Sequence, residues 1–238
     1  MTDAAPAIGV VGVGAMGAAM AAGLAKYARV VVEDQAPGRA ADVAAQHGVV
    51  AGDAAACDVV VLAVKPQDLA GVMEGLLPRL AKGSVLVSVA AGWPLERLSA
   101  TAPGHPVVRL MPNLAVAGGC GVVAMACAGL DEQGVGRVRA LLEPLGAVVP
   151  LDESLFGVAT AIGGSGPGFV AYIAAAMEAA AVDGGLPRDA ARQMVQGVLA
   201  GTALQVFMTP FPISRNILVR WRSLFLNRDP NPIHSCSL

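Results

Sequence analysis

One glycine-rich hexapeptide near the start of the chain most limits what the chain can fold into: Gly12-Val13-Gly14-Ala15-Met16-Gly17. It overlaps the end of an apolar run at residues 8–13 and opens a segment of helix-forming residues. A strand, GxGxxG and a helix in this order predict a turn that binds the pyrophosphate of a dinucleotide. In such a turn Gly12 permits the tight bend, Gly14 lets the pyrophosphate approach the backbone, and Gly17 lets helix and strand pack closely. We therefore predict that the first five residues of the hexapeptide bind the cofactor.

Strand-like and helix-like segments alternate as far as residue 150. Helix-forming residues occupy 37–47 and 67–81, among other segments. Short apolar, β-branched runs, which are typical of buried strands, occur at residues 8–13, 29–32, 58–64, 84–89, 107–110, 121–126 and 147–149. This alternation predicts an α/β fold whose N-terminal part is a Rossmann-like, doubly wound parallel sheet with helices on both faces.

The chain then changes character. Residues 169–182 and 188–206 are rich in Ala and predict two helices, apolar on most sides, that suit burial against another subunit. We predict three segments: a dinucleotide-binding domain over residues 1–155, a truncated all-helical domain for dimerisation or substrate binding over residues 156–206, and an atypical tail over residues 207–238. In the tail, aromatic, Asn, Pro and Arg residues replace the Ala and Gly bias. An exposed tail and the product of a shifted reading frame both stay open as explanations.

Composition argues against several classes of protein. The net charge is -2 and no Lys/Arg cluster precedes the tail, whereas a nucleic-acid surface needs a basic patch. The four cysteines form no CxxC pair, which predicts no metal site and the reduced thiols of a cytoplasmic protein. Residues 110–130 are uncharged, but Pro112 and several glycines interrupt them, so we expect buried loop and strand there and no membrane span. The first residues lack the apolar core of a signal peptide.

Charged side chains follow the second predicted strand. Glu33 and Asp34 stand there, about twenty residues after the glycine turn. A carboxylate at this point accepts hydrogen bonds from the adenosine ribose, which favours NAD, and we assign this contact to Asp34. Arg39 lies close enough in sequence to offset the negative charge, so NADP stays open as well.

Two further strand ends complete the predicted cofactor site, namely Ala63-Val64-Lys65-Pro66 and Ala90-Ala91-Gly92. Ligands of open α/β sheets bind at the carboxyl ends of the strands. There Lys65 can reach a ribose or a phosphate, and the small residues 90–92 leave room for a nicotinamide ring.

The predicted substrate contacts come later in the chain. Asn113 ends the strand-to-loop segment that starts at Arg109, and it offers both a donor and an acceptor near the expected nicotinamide. Ser165 and Gly166 lie in a glycine-rich loop that leads into a helix N-terminus, where backbone N–H groups favour a carboxylate. Ordinary roles, as a loop-capping Asn and an interdomain turn, stay open for both features.

Six ordered motifs together resemble one family, the pyrroline-5-carboxylate reductases. The motifs are GxGxxG, AVKP, SVAAG, RxMPN, GSGP and GLPR, at residues 12–17, 63–66, 88–92, 109–113, 164–167 and 185–188. The resemblance implies a Rossmann domain followed by a helical dimerisation domain, and a homodimer or larger assembly. It also implies NADPH- or NADH-dependent reduction of the imine 1-pyrroline-5-carboxylate to proline, without a nucleophile or a metal.

The sequence also departs from the family pattern. The motif ending at Asn113 continues with Leu114-Ala115 in place of Thr-Pro, and the later Ser-Pro-Gly-Gly-Thr-Thr segment is absent. These departures leave no catalytic residue assigned and raise impaired turnover as an expectation. Two alternatives stay open: a 3-hydroxyacid dehydrogenase-like oxidoreductase, which the GxGxMGxxM pattern also resembles, and a non-catalytic dinucleotide-binding protein.

Overall fold

The computed structural model describes residues 6–208. The last helix continues through Met208, so it includes the first two residues of the predicted tail. The rest of that tail, together with both explanations offered for it, lies outside the described residues.

Within residues 6–208 the strands form one eight-stranded sheet in the order β3-β2-β1-β4-β5-β6-β7-β8. They are β1 Ala7–Val11, β2 Arg29–Glu33, β3 Val50–Ala51, β4 Val59–Leu62, β5 Val85–Ser88, β6 Val107–Pro112, β7 Gly121–Ala128 and β8 Gly146–Pro150. This order confirms the Rossmann-like α/β prediction. The sheet is not wholly parallel, however, because β7 runs antiparallel to β6 and β8 is parallel to β7.

Helices occupy most of the connections and most of residues 153–208. They are α1 Ala15–Leu24, α2 Arg39–His47, α3 Leu69–Leu76, α4 Leu95–Thr101, α5 Glu132–Leu142, α6 Phe156–Ala159, α7 Gly166–Asp183 and α8 Arg188–Met208. A single π-helical turn, Thr160–Gly164, follows α6 and leads to α7. Such turns are rare and occur frequently at functional sites.

Both faces of the sheet are covered by apolar side chains. Along β4, Val59 and Val61 belong to one buried cluster, whereas Val60 and Leu62 belong to another. Successive strand residues point to opposite faces, so the clusters lie on the two sides of the sheet. This explains why the central strands are continuous apolar runs rather than alternating ones.

The predicted loop-and-strand character of residues 110–130 is confirmed, since they comprise the end of β6, a short 3-10 turn and β7. One helical segment of the described chain, Glu153–Asp183, is nevertheless apolar and long enough to cross a membrane by length and composition. Length and composition alone are weak grounds for a membrane span, because an apolar helix that packs against protein has the same properties.

The chain divides into two compact units, with the division between Phe169 and Val170, inside α7 and later than residue 155. In the second unit, Glu178 on α7 forms ion pairs with Arg188 and Arg192 on α8, at 3.8 and 3.6 Å. Large apolar side chains of this unit are exposed, among them Tyr172, which is 78% exposed.

Candidate functional site

A cleft of about 760 Å³ opens at the carboxyl edge of the sheet, around the ends of β1, β2 and β4. The cleft is also lined by Gln67, Gly71, Gly75 and Arg79, which recur every four residues through α3 and the turns on either side of it. Of the predicted cofactor-binding residues, the cleft is lined by Gly12, Gly14, Asp34, Ala63, Val64 and Lys65.

Two of the three glycines of the turn are required by packing within the protein, and the third borders open space. Gly12 has a φ of 87°, and a Cβ there would lie 2.5 Å from Cγ1 of Val64. A Cβ on Gly17 would overlap the carbonyl oxygen of Gly12. Gly14 differs, because a Cβ there would meet nothing within 4 Å. Gly14 also begins α1 without any side-chain cap, so open space lies beside uncapped helix N–H groups, as a dinucleotide phosphate requires.

Asp34 holds the glycine turn. Its Oδ2 accepts the backbone N–H of Val13 at 2.8 Å, and its Oδ1 accepts that of Ala36 at 2.8 Å. The Asp34 side chain is only 5% exposed, whereas that of Arg39, 3.5 Å from Oδ1, is 53% exposed. At the edge of the cleft after β2, the guanidinium of Arg39 is therefore more exposed to solvent than the carboxylate of Asp34.

A second charged network, missed by the sequence analysis, borders the same cleft at Glu33 and Arg79. Arg79 forms two hydrogen bonds to Glu33, both 2.9 Å, and one to Asp53 at 2.5 Å. The hydrogen bonds that Arg79 donates to Glu33 and then to Asp53 raise the pKa of Arg79 above its ordinary value. Glu33 also accepts the N–H of Ala54 at 3.0 Å. In the sequence, Gln67, Gly71, Gly75 and Arg79 recur every four residues. This spacing was the signal that could have placed Arg79 on the cleft.

Trp93 connects two strand-end loops. Its indole Nε1–H donates to the carbonyl of Pro66 at 2.9 Å, and it is 4% exposed. The guanidinium of Arg97 lies 3.7 Å from the ring centroid, at the distance of a cation–π contact. Trp93 thus fixes the loop after β4, which includes Lys65, relative to the loop after β5.

The remaining predicted cofactor residues lie outside the lining of this cleft, and they are Val13, Ala15, Met16, Pro66, Ala90, Ala91 and Gly92. Residues 90–92 follow β5, which is parallel to β4. They therefore lie at the same edge of the sheet, and Gly92 turns the chain there with a φ of 74°.

The predicted substrate residues are connected through one hydrogen bond. Asn113 follows β6, and its Nδ2 donates to the carbonyl of Gly163 at 2.9 Å. Gly163 belongs to the π-helical turn that ends immediately before Ser165, and Gly166 is the first residue of α7. Asn113 therefore meets the chain two residues before Ser165.

No group of three or more His, Cys, Asp or Glu side chains suited to a metal occurs within residues 6–208.

The three cysteine thiols within the same residues differ in their surroundings. Burial raises the pKa of Cys57 and that of Cys127, whereas Cys120 is exposed.

Comparison with known proteins gives two family matches. Residues 7–92 match a family described as "NADP oxidoreductase coenzyme F420-dependent", and residues 153–212 match "Pyrroline-5-carboxylate reductase dimerisation". The two matches fall on the glycine turn with its cleft and on the segment that includes α6 to α8.

Similarity extends over most of the chain. It is 34% identical over 211 residues to the pyrroline-5-carboxylate reductase of Mycobacterium leprae, covering 82% of this chain and 72% of that one. The enzyme of Synechocystis sp. is also 34% identical, over 150 residues, but only 55% of its length is spanned. The solved Plasmodium falciparum pyrroline carboxylate reductase with NADP bound has 23% identity, a TM-score of 0.76, and coverage of 86% of this chain and 79% of that one. At that identity the likeness shows a shared fold.

Proposed function

This chain belongs to the pyrroline-5-carboxylate reductase family, and on that premise we propose that it reduces 1-pyrroline-5-carboxylate to proline with NADPH or NADH. One observation carries the proposal: the chain combines this family relationship with a cleft that holds an open glycine position beside an uncapped helix N-terminus. The chain spans about half of the length of some of the relatives that it matches.

The cofactor would lie with its pyrophosphate at Gly14 and the start of α1, where helix N–H groups stabilise negative charge. Its adenosine would extend along the Gly71 and Gly75 face of α3 toward Arg79. In the opposite direction, Lys65 and residues 90–92 would border the nicotinamide. Arg39 supports binding of the 2′-phosphate of NADPH. Each carboxylate oxygen of Asp34 accepts one backbone N–H, and a carboxylate oxygen can accept a second hydrogen bond, here from a ribose hydroxyl.

The substrate would bind through Ser165 and Gly166, at the beginning of the 18-residue helix α7. The N–H of Ser165 already donates to the carbonyl of Thr160 at 3.1 Å. The hydroxyl of Ser165 and the N–H of Gly166 are therefore the groups that we assign to the substrate carboxylate.

Reduction of the imine needs little from the chain beyond binding and orientation. When bound, the reduced nicotinamide supplies a hydride to the imine carbon, and the nitrogen of the product carries the proton of the iminium form. A protonated imine is already electrophilic, so correct alignment supplies much of the rate enhancement. We assign no acid–base residue.

The apolar helices of the second unit support self-association. Residues 153–212 match the dimerisation family, and exposed Tyr172, Met194 and Leu204 form apolar surface that water disfavours. We propose that a second copy covers this surface, giving a homodimer or a larger homo-oligomer.

We also propose that the protein is cytoplasmic and has no nucleic-acid or membrane partner. The charge balance and the lack of a CxxC pair support this.

The test is the consumption of NADPH or NADH by the purified chain in the presence of 1-pyrroline-5-carboxylate, followed by the absorbance of the reduced nicotinamide and by proline formation. A second assay pairs NADP or NAD with 3-hydroxyisobutyrate, because the 3-hydroxyacid dehydrogenase alternative predicts turnover there. We expect turnover in the first assay alone, at a rate that the absence of the Ser-Pro-Gly-Gly-Thr-Thr segment impairs. Cofactor binding without proline formation would leave the non-catalytic alternative as the correct one.

A further inference from the structure

Asn113 uses nearly all of its hydrogen-bonding capacity on the protein itself. Its Nδ2 donates to the carbonyl of Gly163 at 2.9 Å. Its Oδ1 accepts the N–H groups of Ala115 at 3.2 Å and Val122 at 3.4 Å. An Asn side chain has two donor hydrogens and can accept two hydrogen bonds, so a single N–H remains for anything else.

The acceptor Gly163 belongs to a turn of unusual geometry. Gly163 is buried, and a Cβ there would lie 3.4 Å from Cγ1 of Val122. The π-helical turn closes with the bond from the N–H of Ser165 to the carbonyl of Thr160. A bond that fixes the carbonyl of Gly163 thus also fixes the direction in which the chain reaches Ser165.

A side chain of β6 contacts the beginning of the segment that ends at Gly163. Arg109 lies four residues before Asn113 and therefore on the same side of the strand. Its Nη1 donates to Glu153 at 2.7 Å, and its guanidinium lies 4.7 Å from the ring centroid of Phe156. One side chain of β6 and the side chain that directly follows the strand therefore hold residues 153–163 at both ends.

We propose that Asn113 is a positioning residue, which through Gly163 holds the hydroxyl of Ser165 at the carboxyl edge of the sheet. The inference rests on the proposed function, because it assigns Ser165 to the substrate. Asn113 follows β6, a parallel neighbour of β5, so it lies at the edge that also carries residues 90–92. The hydrogen bond therefore brings the substrate-binding turn to the edge where the nicotinamide is placed.

The variant N113D breaks this bond and places a carboxylate oxygen against the carbonyl oxygen of Gly163. An Asp keeps the oxygen that accepts from Ala115 and Val122, and Asp is as good a cap as Asn, but it loses the donor to Gly163. We expect kcat/KM for 1-pyrroline-5-carboxylate to fall by about tenfold to a hundredfold, as for other small displacements of a reacting group. The Kd for NADPH should change by less than about twofold, since the bond lies away from the glycine turn.

A double-mutant cycle with S165A separates positioning from direct contact. If Asn113 acts through Ser165, N113D/S165A has the kcat/KM of S165A within about twofold. S154A is the matched control, because it removes the bond from Ser154 Oγ to Asp152 at the beginning of the same segment and should combine additively with S165A. Additive losses for N113D and S165A, or a rise in the KM for the substrate that persists in the S165A background, would overturn the proposal.

A measurement without substrate keeps this inference separate from the proposed function. Amide hydrogen exchange of Ser165 and Phe169, whose N–H groups bond within this segment, should accelerate in N113D, while that of β1 stays unchanged. If the wild-type chain fails to make proline, the proposed function is wrong and this exchange result decides the role of Asn113. Unchanged exchange would refute it. Should N113D not fold, N113S, which also keeps an acceptor oxygen, takes its place with the same expectations.

Discussion

The carboxylate of Asp34 accepts a hydrogen bond from the backbone N–H of Val13 at 2.8 Å, so the end of β2 holds the glycine turn that follows β1. The same carboxylate accepts the N–H of Ala36. Asp34 was predicted from the sequence as a ribose contact, and the structure adds this role within the protein. Its burial means that loss of the side chain would leave two backbone donors without partners.

Replacement of Asp34 should therefore weaken binding of both cofactors. We expect D34A to lower the free energy of unfolding by about 1–3 kcal/mol, because backbone N–H groups lose their acceptor, and to raise the Kd for NADH and NADPH by similar factors. D34N, which retains one acceptor oxygen, should lose less stability. Isothermal titration and urea unfolding measure these effects, and a D34A variant with unchanged stability would contradict the assignment.

Arg39 should discriminate between the two cofactors. Its side chain is 53% exposed and makes one long contact of 3.5 Å to Asp34. A guanidinium free to pair with a phosphate forms a charge-assisted bond, so R39Q should weaken NADPH by about tenfold and NADH by less than about twofold. Kd values for both cofactors at one ionic strength give the answer. Equal weakening of the two would mean that Arg39 does not contact the 2′-phosphate.

Features with a local or periodic basis could be predicted from the sequence. The glycine turn and the buried strand β4 are examples, since each depends on residue type and spacing alone. The two-residue strand β3 was missed because so short a run has no periodicity. The antiparallel direction of β7 was missed as well, although the short connection between β6 and β7 was a usable sign, because a parallel crossover needs a dozen or more residues.

Contacts between distant parts of the chain could not be predicted. The bonds from Trp93 to Pro66, from Arg79 to Glu33 and from Asn113 to Gly163 join residues that are 27, 46 and 50 positions apart. Each depends on the sheet order and on side-chain directions, which no local pattern contains. They determine how the predicted strand ends are held, whereas the sequence pattern indicates only which strand ends matter.

The network of Arg79 should contribute little to stability. Its side chain is 42% exposed and that of Glu33 is 27% exposed, and exposed ion pairs are worth about 0–1 kcal/mol. A double-mutant cycle of E33Q and R79M, followed by urea unfolding, should give a coupling of that size that declines with added salt. A coupling above about 3 kcal/mol would indicate a desolvated pair instead.

The buried thiol of Cys57 should react slowly. Burial is the main cause that raises its pKa, while the exposed Cys120 makes its thiol available to reagents. In a C236S background at neutral pH, we expect one fast thiol reaction, which C120S removes.

Because the folded state raises the pKa of Cys57, its protonated thiol stabilises the fold below the ordinary value of 9.0, and this contribution is lost as the pH rises further. C57S should reduce that loss, and an identical alkaline decline in C57S would contradict this assignment.

Two alanine substitutions in the glycine turn should separate cofactor binding from folding. At Gly14 a Cβ meets no atom within 4 Å, so G14A should leave the free energy of unfolding within about 0.5 kcal/mol of wild type. The same Cβ would occupy the space assigned to the pyrophosphate, and we expect the Kd for NADPH to rise by at least about tenfold, since the phosphate must approach the backbone there.

G17A is the matched control, because its Cβ overlaps the carbonyl oxygen of Gly12. That overlap should lower stability by about 1–3 kcal/mol or more. Unfolding curves and cofactor titrations of both variants distinguish the two effects. A G14A variant that folds normally and binds NADPH as tightly as wild type would show that the pyrophosphate does not lie at this turn.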